Sequence, residues 1–231
     1  MIHPVRLDEN HKYWTPRRDG ELQVPGYSEI CAAIGVTKPN PHHTEAGRVR
    51  GTAVHVWSSH IAQGLPTPYE PEERIKNRVD AFRVFLEHSK FVLVGTEKPR
   101  YDPMLNFACS PDLWGNIGLW TYVLDLKTGA KRKTDPLQTA AQTIALGINE
   151  FRAQRRGCVY IKDRHKIDHH NDPDDLTRWQ ALVRGYHAMD ADQRIVFANE
   201  EFPLKHEVFK TMTDAQRRII SNAHAARSFY L

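Results

Sequence analysis

Three cysteines in 231 residues, Cys31, Cys109 and Cys158, are too few and too far apart to staple a fold. They form no Cys-x-x-Cys pair, so neither a zinc site nor a disulfide framework is implied. They also fall short of the four thiolates of an ordinary iron–sulfur cluster. They read as reduced, mostly buried thiols. Equally absent is any apolar run near the roughly 18–20 residues that span a bilayer. The opening stretch, MIHPVRLDEN, has no apolar segment of signal-peptide type, so the expectation is a cytoplasmic protein with no membrane contact. There is no internal repeat and no low-complexity tract. A strong charge of one sign is missing too: 32 Lys and Arg stand against 28 Asp and Glu, a net +4 that leans only mildly toward polyanions.

What is present suits a globular α/β chain. Hydrophobic residues make up 40% and charged residues 26%, enough for a sizeable core in one domain. Residues 1–24 read as an irregular polar arm, 24–161 as the core, and 162–231 as a mainly helical C-terminal part. Ser28 reads as the N-cap of a short helix ending at Gly35. Residues 36–44 form a proline-rich loop. Helical spacing of Val49, Ala53, Val56 and Trp57 predicts a helix over 44–63, and a second follows over 71–89. The pattern then turns β-branched. Strands are predicted at 91–94, 106–110, 113–116 and 120–127, a helix at 136–146, and a strand at 158–161. Helices at 174–189 and 213–229 complete the chain. Asp172, Asp174 and Asp175 sit where the first of these begins, which is a capping position.

The chemistry centres on Asp125-Leu126-Lys127. Residues two apart on a strand share a face, so Asp125 and Lys127 project together while Leu126 packs inward. Thirteen residues earlier stands Asp112, in Ser110-Pro111-Asp112, at the strand end of one hairpin-like unit. Two carboxylates and a lysine at strand ends make a site for a hard cation. Mg²⁺ takes one or two carboxylates together with waters and phosphate oxygens.

These residues resemble the signature of the PD-(D/E)XK nuclease superfamily. Gly51-Thr52-Ala53-Val54-His55 resembles the G-x-x-x-H helix of its RecB-like branch, which includes the lambda-type exonucleases of phage recombination. Gln138 falls where that branch carries a glutamine after the lysine strand, and Glu97 where some members carry a further acid. The likeness covers about residues 24–161. It departs at Gln142, where the branch often has tyrosine, and it lacks the cluster cysteines of the iron–sulfur members.

The resemblance implies a restriction-endonuclease-like core with a mixed central sheet flanked by helices. It implies His55, Asp112, Asp125 and Glu97 as metal ligands, Lys127 as the catalytic lysine, and Gln138 as a positioning residue. The implied cofactor is Mg²⁺, with Mn²⁺ substituting and no iron–sulfur cluster. The implied activity is DNA exonuclease, with a site- or structure-specific endonuclease or a non-catalytic DNA-binding protein as alternatives. DNA as a duplex end or single strand, a strand-annealing recombination partner and a homo-oligomer follow as expected partners. For DNA contacts, Ser28 opens a helix whose free N–H groups suit a terminal phosphate. Arg48 and Arg50 precede His55, and Lys131 and Arg132 follow the catalytic strand, where they would track the backbone. Further cations cluster at Lys133 and at Arg152, Arg155 and Arg156.

Overall fold

The computed structural model describes residues 2–37, 44–67, 70–199 and 206–231. In chain order the strands and helices begin with β1 (Arg6–Leu7), β2 (Tyr13–Arg17), β3 (Gly20–Val24), α1 (Tyr27–Ala33), α2 (Glu45–Ala62) and α3 (Glu73–Ser89). Then come β4 (Val92–Thr96), β5 (Arg100–Asp102), β6 (Phe107–Cys109), β7 (Leu113–Ile117), β8 (Trp120–Lys127) and α4 (Asp135–Asn149). The chain closes with β9 (Arg155–Ile161), β10 (His165–His169), α5 (Asp174–Ala188), α6 (Ala191–Asn199) and α7 (Asp214–Tyr230). No helix among the described residues is long and apolar enough to cross a membrane. Contacts gather the chain into two compact units, Asn40–Lys98 with Ser110–Asn171, and Met1–Pro39 with Pro99–Cys109 and Asp172–Leu231.

The unit of 40–98 and 110–171 holds a mixed five-stranded sheet ordered β10-β9-β8-β7-β4. β8 runs parallel to β9, and every other pairing is antiparallel. A parallel pair needs a long crossover, and α4 supplies it. Both faces of β8 are buried, as expected of a strand covered on each side. On one face Tyr122, Leu124 and Leu126 pack with Val159 and Ile161 against Val54 and Trp57 of α2 and Val79, Phe82 and Phe85 of α3. On the other, Val123 and Trp114 meet Leu146 of α4. Full burial of such side chains stabilises by about 1.5–3 kcal/mol each. Thr44 caps α2, its Oγ1 accepting from the Gly47 N–H at 3.1 Å.

The edge strand β4 carries a register shift between Leu93 and Gly95, and Gly95 sits flush against the Trp114 indole. A Cβ there would lie 2.2 Å from Cζ2 of that ring, so only glycine fits. The shift sets Thr96 opposite Leu113 and brings Glu97 beside Pro111.

The second unit has a three-stranded antiparallel sheet (β1-β2-β3), the β5–β6 hairpin, and α1, α5, α6 and α7. The Trp179 ring of α5 lies between Tyr27 and Phe107, 5.2 Å from each ring centre. Asp175, buried in the first turn of α5, accepts from the Tyr230 hydroxyl at 2.8 Å and ties α5 to α7. Asp172 accepts from the Asp174 N–H at 2.9 Å, the helix-start role expected of that acidic group.

The mixed sheet with flanking helices and the helical C-terminal part match the sequence reading, and β8 matches it to the residue. Several expectations are corrected. Residues 6–24 form a sheet and not an irregular arm. Pro16, which has no N–H to donate, sits inside β2 and masked the strand pattern. The C-terminal part begins with a strand, β10, whose sequence His-Lys-Ile-Asp-His is too polar to read as one. Residues 106–110 do not join the Asp112 hairpin, since β6 pairs with β5. Ser28 is the second residue of α1 and not its cap, a position held by Gly26. Most of the proline-rich loop, 38–43, lies outside the described residues.

Candidate metal centre

The C-terminal end of β8, the start of β7 and the end of β4 meet at one end of the sheet. Asp112 precedes β7, and its Oδ2 accepts from the Leu126 N–H at 2.7 Å, which locks the carboxylate onto the Asp125–Lys127 strand. The Thr96 hydroxyl donates to the Asp112 carbonyl at 2.5 Å, and the Glu97 N–H to the Pro111 carbonyl at 2.9 Å. Glu97 itself has φ +53°, a left-handed conformation that costs a residue with a Cβ about 1–2 kcal/mol. Strain of this kind gathers at functional sites.

His55, on the sheet-facing side of α2, brings Nδ1 to 3.5 Å from Asp112 Oδ2 and 3.6 Å from Glu97 Oε1. One ligand atom from each of His55, Glu97 and Asp112 lies within 4.8 Å of the other two. Ligands about 2.1 Å from Mg²⁺ stand roughly 3 Å apart when adjacent and 4.2 Å when opposed, so the spacing fits a shared cation. The electrostatics agree. Burial raises the Asp112 carboxyl to about 7, with the Asp125 and Glu97 charges adding and His55 opposing. Burial pulls the His55 imidazole down, but Asp112, Glu97 and Asp125 outweigh it and carry it up to about 9. The group holds its protons tightly because burial favours the proton on Asp112 and the crowding of carboxylates favours both.

Asp125 is turned to other partners. It is 1% exposed, and Lys127 Nζ stands 2.6 Å from its Oδ2. Its Oδ1 accepts from both Gln138 Nε2 and Gln142 Nε2, at 2.8 Å each. Lys127 also donates to Gln138 Oε1 at 2.7 Å. Positions 138 and 142, four apart on α4, lie on one helix face above the strand. Burial would lower the Lys127 ammonium, but the Asp125 charge reverses the effect and holds it well above the usual lysine range. Tyr160 and the Arg132 N–H both donate to Asp135 Oδ2, which fixes the first turn of α4.

Of the expected ligands, then, His55, Glu97 and Asp112 come together. Asp125 stands beside them, in the same cleft of about 550 Å³ that His55, Asp112, Lys127 and Gln138 line, but it is held by Lys127 and two glutamines. Gln142 stands where the resembled family often has tyrosine. It is a direct partner of Asp125, and its signal was the spacing of four from Gln138.

Among the expected DNA contacts, Arg50 and Arg132 line this cleft. Arg48 is exposed and paired to Glu45 through Nε at 2.9 Å, and Lys131 is paired to Asp168 at 2.6 Å. Ser28 belongs to the other unit, exposed on a helix of seven residues. Arg156 is buried and donates to the Pro136 carbonyl at 2.9 Å, so it braces α4, while the Arg155 guanidinium lies 4.2 Å from the centre of the Trp120 ring. No family model matches this chain, and no curated protein matches it.

Proposed function

We propose that this chain is a metal-dependent deoxyribonuclease of the PD-(D/E)XK type that hydrolyses phosphodiester bonds from a DNA end, in recombination or repair. The observation that carries the reading is the approach of His55, Glu97 and Asp112 to one another, a group fit for a cation, with His55 and Asp112 lining the same cleft as the charged Lys127. His55, Glu97 and Asp112 would hold the ion, with Asp125 adjoining. A bound Mg²⁺, or Mn²⁺ in its place, supplies the positive charge that polarises a phosphate oxygen and lowers the pKa of water. The chain does the rest. Lys127 stays protonated, is held by Asp125 and Gln138 at the wall of the cleft, and would offset charge that builds on the phosphate as water attacks. Gln138 fixes the direction of that ammonium. Water forms the new P–O bond, an ester P–O bond breaks, and the departing oxygen takes up a proton. Arg50 and Arg132 would hold neighbouring phosphates.

Digestion from an end, a strand-annealing partner and a homo-oligomer rest on the family resemblance. Linear, nicked and closed-circular duplexes incubated with Mg²⁺ test the reading. Loss of the linear duplex from its ends is expected. Cutting of closed circles would make it an endonuclease, and binding without cleavage under Mg²⁺ or Mn²⁺ would make it a binding protein only.

A further inference from the structure

The β9–β10 hairpin carries Lys162, Arg164 and Lys166, none of which the catalytic centre uses. With Lys131 they line a second cleft of about 280 Å³, in which four cations face one carboxylate, Asp168. All four cations are exposed, and only Lys131 is ion-paired among the described residues, to Asp168 at 2.6 Å.

Register places this cleft at the catalytic end of the sheet. Lys127 pairs with Tyr160, and Tyr160 pairs with Lys166, so the three share one face across three neighbouring strands. At about 4.8 Å per strand, the Lys166 backbone stands roughly 10 Å from that of Lys127. That equals about three nucleotides of rise along one strand of duplex DNA. Gly129, two residues past Lys127, lines both this cleft and the catalytic one, so the two are contiguous.

We infer that Lys162, Arg164 and Lys166, with Lys131, form a phosphate-backbone track that carries the DNA strand into or out of the catalytic cleft. The inference rests on the nuclease reading for its ligand. Contacts of this type are blind to sequence and act through charge. Lysines on an edge strand also discourage sheet-to-sheet pairing, a role that needs no DNA. The salt dependence of binding separates the two roles.

The test is the affinity of a dye-labelled 20-base-pair duplex, read by fluorescence anisotropy in EDTA across a salt series. The variant Lys162→Ala/Arg164→Ala/Lys166→Ala should lower the slope of log affinity against log salt by about 2.7, at about 0.9 per phosphate contact. It should also bind at least about tenfold more weakly at 0.1 M salt. Lys162→Gln/Lys166→Gln should lower the slope by about 1.8 and covers the case of a triple variant that folds poorly. Wild-type slopes in these variants overturn the track. So does an equal drop in Arg18→Ala/Lys76→Ala/Arg218→Ala, three exposed cations elsewhere. A wild-type protein that shows the slope difference but cuts no DNA with Mg²⁺ overturns the nuclease reading and supports the track. A wild-type protein that binds no duplex overturns the track, and one that also cuts no DNA with Mg²⁺ overturns both.

Discussion

Gln142 Nε2 donates to Asp125 Oδ1 at 2.8 Å, from one turn further along α4 than Gln138, which donates to the same oxygen at the same distance. A buried carboxylate is thereby aimed by two neutral amides and one ammonium. Its orientation is set by α4 as much as by its own strand. Gln142→Leu removes one of these bonds and should lower stability by about 1.5–3 kcal/mol, the range for hydrogen bonds to charged groups. It should also raise the Mg²⁺ concentration for half-maximal cleavage by roughly 10–100-fold, as loss of an orienting partner does. The rate at saturating Mg²⁺ should recover most of its wild-type value. A purely structural role would leave the metal requirement unmoved, and metal titration of the cleavage rate distinguishes the two.

Glu97 combines a left-handed backbone with a carboxylate beside Asp112. Glu97→Asn suits that conformation better and removes one like charge. In EDTA the variant should unfold about 2–4 °C higher, the shift that about 1 kcal/mol gives a chain of this size. It should lose most of the stabilisation Mg²⁺ gives the wild type. Thermal melts with and without Mg²⁺ read both, and a melt lowered in EDTA would contradict the account of strain.

The metal-free centre should make stability fall as pH rises. Asp112 at about 7 and His55 at about 9 both stand above their ordinary values of 3.8 and 6.5. Each group therefore binds its proton more tightly in the folded chain. The stability each contributes is complete below the ordinary value and is lost as pH climbs through the raised one, from about 4 to 7 for Asp112 and from about 6.5 to 9 for His55. A cation displaces those protons, so the melting shift given by Mg²⁺ should grow between pH 6 and pH 9. A shift larger at pH 6 than at pH 9 would contradict the assignment of these groups.

The three cysteines are buried, and none is in a disulfide. Burial pushes the Cys31 thiol up to about 12, and burial with the Asp125 charge keeps Cys158 protonated. The thiolate is the reactive form. A thiol-reactive dye at pH 8 should label none of them in the native protein and all three after denaturation. Rapid labelling of one thiol in the native state would show that its cover opens.

Much of the centre was legible because it depends on local rules. Alternation along 120–127 put Asp125 and Lys127 on one face, while His55 was singled out by the likeness of Gly51–His55 to a family motif and not by helical spacing, since Val49 and Val56, two of the apolar positions read from that spacing, are exposed. What stayed hidden depends on pairing between distant segments. The approach of Glu97 to Asp112 requires a register shift at Gly95 and a left-handed residue, neither of which leaves a sequence pattern. The separation of Asp125 from the His55–Glu97–Asp112 group depends on how α4 lies over β8. The strands β2 and β10 were missed because Pro16 and a run of polar side chains suppress the period of two that marks a half-buried strand.

The most direct test is Mg²⁺-dependent cleavage of a linear duplex by Lys127→Ala, measured beside wild type, with binding of the same duplex in EDTA read in parallel. Wild type should cut, the variant should be slower by at least about 10²-fold, the cost of removing one transition-state donor, and its affinity for DNA should be largely kept. Cleavage by the variant at the wild-type rate would contradict this.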